Sequence, residues 1–166
     1  MSRAALDLLT RALEAAFRAD HWHSLLANLS DVRPEEWDAR PAEPRVSVFG
    51  PSPELSIADI VNHVGSAKHM YADRAFGGAS AEWGDFRPPS GDKEAAIAWL
   101  EEAHHAFADA VKTLDDDSEL AVERRAPWSP AVPTERLISI IINHDLYHAG
   151  EINRQRALIR GADGWE

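Results

Sequence analysis

The sequence predicts an all-α fold: one domain over residues 1–166, built as a four-helix bundle with long connections. Four segments repeat apolar residues at helical spacing, no strand-type alternation of useful length is present, and proline-rich stretches separate the helical segments. A chain of 166 residues with 45% hydrophobic content is long enough to bury one sizeable core.

The first helix is expected from Ser2, as N-cap, to Leu29, with Leu6, Leu9, Leu13 and Phe17 facing inward. Pro34 to Pro53 holds five prolines and reads as a loop, with Val46-Ser47-Val48-Phe49 as a short extended piece. Ser56-Ile57-Ala58-Asp59 is a capping box that opens the second helix, which runs through Ile60, Val64 and Tyr71 to Phe76 and stops at Gly77-Gly78. Ser90 is expected to cap the third helix, with Ile97, Leu100, His104, Phe107, Val111 and Leu114 as its inner stripe. Asp115-Asp116-Asp117 and an irregular stretch around Pro127, Pro130 and Pro133 follow. The fourth helix spans Thr134 to Gly161 and leaves a short tail from Ala162 to Glu166.

Composition narrows the chemistry. The chain has no cysteine, so disulfides, thiolate metal sites and a cysteine nucleophile are out, and any metal must be held by histidine and carboxylate. A cysteine-free chain is compatible with a reducing compartment, and a cytoplasmic location is expected. Asp7 interrupts the N-terminus too early for a signal-peptide core, and no apolar run approaches the roughly 20 residues needed to span a bilayer. The formal net charge of −11, from 28 acidic and 17 basic residues, opposes binding to a phosphate backbone, so no nucleic-acid partner is expected. Gly-rich phosphate loops, Gly-x-Ser-x-Gly and EF-hand patterns are absent.

The histidines carry the functional signal. His144 and His148 are four residues apart, hence on one helical face, in the spacing Leu137, Ile141, His144, His148, Ile152, Ile159 of an apolar stripe. Two imidazoles turned toward a core need either hydrogen-bond partners or a metal. The residue after His144 is Asp145, so this is not the His-Glu-x-x-His of metalloproteases. His63, at the border of the second helix's stripe, supplies a third candidate ligand; otherwise it bridges polar groups at the core edge. Three protein ligands with an open fourth position is the pattern of a catalytic metal. His104, on the third helix's stripe, competes as a ligand or bonds within the core. His69 and His105 are expected in solvent, and His21 and His23 at the surface or a pocket rim. Asp59 and Glu151 are spaced to accept the second ring N–H of His63 and His148, although Asp59 fits the capping box better. Tyr147, beside the ligand face, is expected to pack in the core, with contact to a bound substrate as the alternative. Trp22, Trp83, Trp99 and Trp128 are read as core or interface residues, with a cavity lining as the alternative.

Three stretches then show a family likeness: Ser56-Ile57-Ala58-Asp59-Ile60-Val61-Asn62-His63-Val64, His144-Asp145-Leu146-Tyr147-His148-Ala149-Gly150-Glu151-Ile152, and Arg156-Ala157-Leu158-Ile159-Arg160-Gly161. Over nearly its whole length the chain resembles the DinB-like superfamily, also called the DinB/YfiT-like proteins. The second stretch is similar to the family's His-x-x-Tyr-His-x-Gly-[Gln/Glu]-Ile. The resemblance implies an up-down-down-up four-helix bundle and a divalent metal held by His63, His144 and His148, with zinc or nickel foremost and manganese or iron also compatible. It further implies a homodimer and a small-molecule partner such as a low-molecular-weight thiol. Some members are thiol S-transferases or thiol-dependent isomerases, so the expected activity is metal-dependent thiol S-transfer. The alternatives are a metal-dependent hydrolase and a non-catalytic stress-response or small-ligand-binding bundle.

Overall fold

In the computed structural model, residues 2–42, 45–47, 50–52 and 54–161 are described. The chain is all-α apart from two short hairpins. Helices α1 (Ala4–Glu14), α2 (Leu25–Ser30) and α3 (Pro34–Trp37) are followed by strands β1 (Arg45–Ser47) and β2 (Gly50–Ser52). Then come α4 (Ile57–Phe76), α5 (Lys93–Lys112), strands β3 (Glu123–Ala126) and β4 (Ser129–Pro133), and α6 (Thr134–Arg160). Helix α4 lies along α5, and α6 packs on α1, α2 and α4. Among the described residues no helix is long and apolar enough to cross a membrane.

The expected first helix is broken. A π-helical turn, Ala15–Ala19, ends α1, and Asp20 leaves the helix at φ −88°, ψ 122°. The Asp20 carboxylate accepts from the backbone N–H of Trp22 at 2.9 Å and of His23 at 2.6 Å, and Ser24 then caps α2 by accepting from Ala27. Short polar side chains bonding their own backbone compete with helix continuation, which explains why apolar period alone overran this boundary. Ser2 is also not the structural N-cap: Arg3 holds that position, and Asp117 satisfies the Leu6 N–H from 111 residues away at 3.0 Å. On α5 the cap is Asp92 rather than Ser90.

The later helices follow expectation closely. Ser56 and Asp59 exchange hydrogen bonds across the first turn of α4. Gly161, at φ +70°, ends α6 in the left-handed region that favours glycine. The two hairpins are a correction to the loop reading. β1 and β2 pair antiparallel, Val46 opposite Pro51; Val48 and Phe49 of the expected extended piece lie outside the described residues, as does the tail after Gly161. β3 and β4 pair with Arg124 opposite Val132, turning the buried Ala126 and Val132 onto the helices.

Among the described residues two apolar clusters fill the interior. One joins Leu6, Leu13, Phe107, Val111, Leu137 and Ile141; the other joins Phe17, Leu25, Ile57, Ile60, Leu100 and Ile152. The buried face of α6 runs Leu137, Ile138, Ile141, Asp145, His148, Ile152 and Gln155, so the stripe read from sequence is turned slightly: His144 lies at its edge and Asp145 at its centre. Gly65 sets the closeness of α4 to α5. A Cβ added there would meet Trp99 Cζ3 at 2.2 Å, because the indole lies on the helix backbone. Gly65→Ala is therefore expected to destabilise the fold by about 1–3 kcal/mol through overpacking, read as a lower urea midpoint at unchanged slope.

Candidate metal centre

Helices α4 and α6 bring His63, His144 and His148 together across 81 residues of sequence. His63 Nε2 lies 3.1 Å from His144 Nε2, and His144 Nε2 lies 3.2 Å from His148 Nε2. One ligand atom from each residue falls within 4.8 Å of the other two. Two imidazole nitrogens each about 2.0–2.1 Å from a common ion are roughly 3 Å apart when the bonds are near a right angle, so these separations suit a shared cation. The group grades outward from buried His148 through half-buried His144 to exposed His63, which leaves it one face toward solvent.

Proton placement favours the same reading. His148 Nδ1 donates to Glu151 Oε2 at 2.7 Å, and that tautomer leaves the His148 Nε2 lone pair directed into the cluster. His144 Nδ1 is buried with no hydrogen-bond partner. Its Nε2 faces two other Nε2 atoms but can donate one proton at most to one of them. A cation accepting three lone pairs satisfies all three Nε2 atoms, whereas hydrogen bonding among them satisfies only part. Burial above all, then His148, His63 and the Lys68 ammonium, pushes His144 down to about 3. It is therefore neutral throughout the physiological range, the form of imidazole able to ligate a metal. The cluster fits a divalent metal with nitrogen ligands; hard cations that prefer oxygen, such as calcium and magnesium, fit it poorly. Glu151→Ala, which frees the His148 tautomer, is expected to weaken zinc binding on the order of 10- to 100-fold in a chelator competition.

His104 is not part of this group. It is fully buried on α5, its ring stacked at 3.8 Å on Phe17, its Nδ1 3.3 Å from Lys68 Nζ and its Nε2 3.5 Å from Glu14 Oε2. Burial first, then the charges of Lys68 and Arg18, pushes it from 6.5 to about 2, so it stays neutral. The unfolded chain gains a proton here below about pH 6.5 that the folded chain refuses, so stability is untouched above that pH and falls as pH falls below it. The His104 share of that loss is about 2 kcal/mol between pH 7 and pH 5 in metal-free protein, and His144, held down to about 3, adds a share of its own. Urea titrations at the two pH values check this: His104→Gln, which does not titrate, should shrink the difference by about 2 kcal/mol without abolishing it.

Several expectations are corrected. His69 is half-buried, stacked on Phe86 at 4.9 Å and beside Trp99 at 5.5 Å, rather than in solvent. Tyr147 is 59% exposed rather than packed in the core, with its ring 4.9 Å from that of His148. Trp22, Trp83 and Trp128 are exposed; of the four tryptophans singled out, Trp99 alone is buried. Asp59 serves the capping box and pairs with Arg40 at 2.6 Å, and Glu151 is the carboxylate that orients a histidine. His21, His23 and His105 are exposed as expected.

Sequence reasoning missed Lys68 and Asp145. Both are fully buried, and Lys68 Nζ donates to Asp145 Oδ2 at 2.7 Å. Burial pushes the lysine down and the aspartate up, each restrained by the other's charge. The signal was available. Asp145 is in register with Ile141, His148 and Ile152, and Lys68 with Val61, Val64 and Tyr71, so opposite charges occupy core positions of two helices.

A family model described as the DinB superfamily matches residues 19–152. A solved structure, the conserved protein of locus from Enterococcus faecalis, is similar over 95% of this chain and 96% of its own, with a TM-score of 0.59 and 13% identity, a likeness of fold alone. No curated protein matches the chain.

Proposed function

This chain belongs to the DinB superfamily, and we propose that it is a metal-dependent enzyme of thiol S-transfer, with His63, His144 and His148 holding one divalent ion, zinc or nickel foremost. The observation that supports the reading is the convergence of three Nε2 atoms from two helices on one point. A divalent ion held there would lower the pKa of a bound low-molecular-weight thiol and so supply a thiolate nucleophile. The chain's own residues prepare that site. His148 is held in one tautomer by Glu151, and His144 is kept neutral by burial. His63 and Tyr147, both exposed, flank the solvent side from which a thiol and its electrophile would arrive.

Hydrolysis is the less favoured chemistry. It calls for a carboxylate base near the open position, and Glu151, the carboxylate beside the cluster, is engaged by His148 Nδ1. Thiol-transfer turnover measured with a panel of mycothiol, bacillithiol and glutathione, on protein loaded with zinc or nickel, tests the proposal. Consumption of electrophile that needs both metal and thiol is the expected result. Ester or amide cleavage without thiol dependence would reverse the order of the two chemistries. Stoichiometric metal with no turnover of either kind would leave a binding protein.

A further inference from the structure

We propose that Lys68 and Asp145 are positioning residues of the three-histidine cluster: their buried ion pair fixes the register of α4 against α6, on which the approach of His63 to His144 and His148 depends. The inference rests on reading that cluster as a metal centre. Its ligands come from two helices, so their separation is a property of how α4 and α6 sit on one another rather than of either helix alone. Metal–ligand distances tolerate about 0.2 Å. Apolar ridges packing into grooves leave crossing angles scattered by roughly 15–20°. A point contact between single atoms specifies what those ridges leave loose.

The ion pair is placed to do so. Asp145 follows His144 directly, and Lys68 lies five residues beyond His63, about 7.5 Å along the helix axis. The bond between them is 2.7 Å, with both side chains fully buried. Lys68 is itself held on its other sides: Nζ lies 3.3 Å from His104 Nδ1 on α5 and 4.9 Å from the centre of the Phe17 ring. Asp145 Oδ1 has no hydrogen-bond partner, so the Oδ2 bond to Lys68 carries the carboxylate's polar link. A buried ion pair is a poor source of stability compared with an apolar pair of similar volume. What it adds is a fixed point between the two helices that carry the ligands.

The test is zinc affinity of the metal-free full chain, measured against a chromophoric chelator, together with thermal unfolding. Lys68→Met/Asp145→Leu replaces the pair by apolar groups. The expected result is a cooperative melt within a few degrees of wild type and zinc binding weakened on the order of 10- to 100-fold. Val111→Ala, in the other apolar cluster on α5, should lower the melting temperature with zinc affinity unchanged. Wild-type affinity in the double variant overturns the positioning role and leaves the metal centre standing. Equal loss of affinity in V111A also overturns it, because general softening would then explain both. Absence of zinc uptake by the wild type overturns the metal-centre reading itself, and this inference with it. Should the double variant not fold, Asp145→Asn decides: a loss of about five-fold or more supports the role, and wild-type affinity overturns it.

Discussion

His144→Ala is expected to reduce bound metal from about one equivalent to less than about a tenth, and to abolish the stabilisation that metal confers. His144 is the hinge of the cluster, because its Nε2 is the atom within 3.1–3.2 Å of both other Nε2 atoms. Without it, His63 and His148 retain one nitrogen each and the common contact is lost. An ion present at about one hundred times its dissociation constant stabilises the folded state by about 2.7 kcal/mol. In a chain of this size that is a rise in melting temperature of about 5–10 °C. Wild-type protein should show such a rise on adding zinc or nickel, and H144A should show none. The comparison is of the metal-induced shift and not of the absolute melt, because the substitution also removes a half-buried ring whose Nε2 contacts both other histidines in the metal-free protein. His105→Ala, on an exposed face of α5, should keep the whole shift. A metal-induced rise in H144A equal to that of wild type would remove His144 from the ligand set.

The candidate site was legible in sequence where one helix carries the information. His144 and His148 are neighbours by helical spacing, and Glu151, three residues on, lies within reach of His148 Nδ1; all three belong to α6. The meeting of His63 with them depends on how α4 packs on α6, which no spacing within a single helix states. The same distinction explains the misplacements. Tyr147 sits between two cluster residues in sequence, yet one position along a helix turns a side chain by about 100°, and it faces outward. His69 has polar neighbours in sequence, but Phe86 from a distant loop covers it. The break at Asp20 was hidden because Leu6, Leu13, Phe17, Leu25 and Leu29 are all buried on either side of it. The apolar period persists through a turn made by polar side-chain bonds, and those bonds are what a period does not record.

Lys68→Met is expected to be among the most destabilising single changes in the chain, by about 3–5 kcal/mol near neutral pH, read as a lower urea midpoint. The methylene stem is matched in size, so the loss is electrostatic: Asp145, 0% exposed, is left with a buried carboxylate whose Oδ2 has lost its donor and whose Oδ1 never had one. The magnitude should depend on pH in a definite direction. Burial already pushes the Asp145 carboxyl above its ordinary value, and Lys68 is the charge that restrains it. With Lys68 gone, Asp145 rises further and folded protein takes up a proton that the unfolded chain, near 3.8, does not. A group with a raised folded value gives stability that is present at low pH and lost as pH rises through that value. His104 changes in the same sense, because the Lys68 charge is among the causes holding it down, while Glu14 on α1 faces its other nitrogen in both proteins. The deficit of K68M relative to wild type should therefore shrink as pH falls from 8 to 5. Adding Asp145→Leu should recover most of it at every pH, since the stranded charge is then absent. A deficit that is independent of pH and unrelieved in the double variant would mean that Lys68 stabilises the interior through its packed stem against Phe17 rather than through its charge.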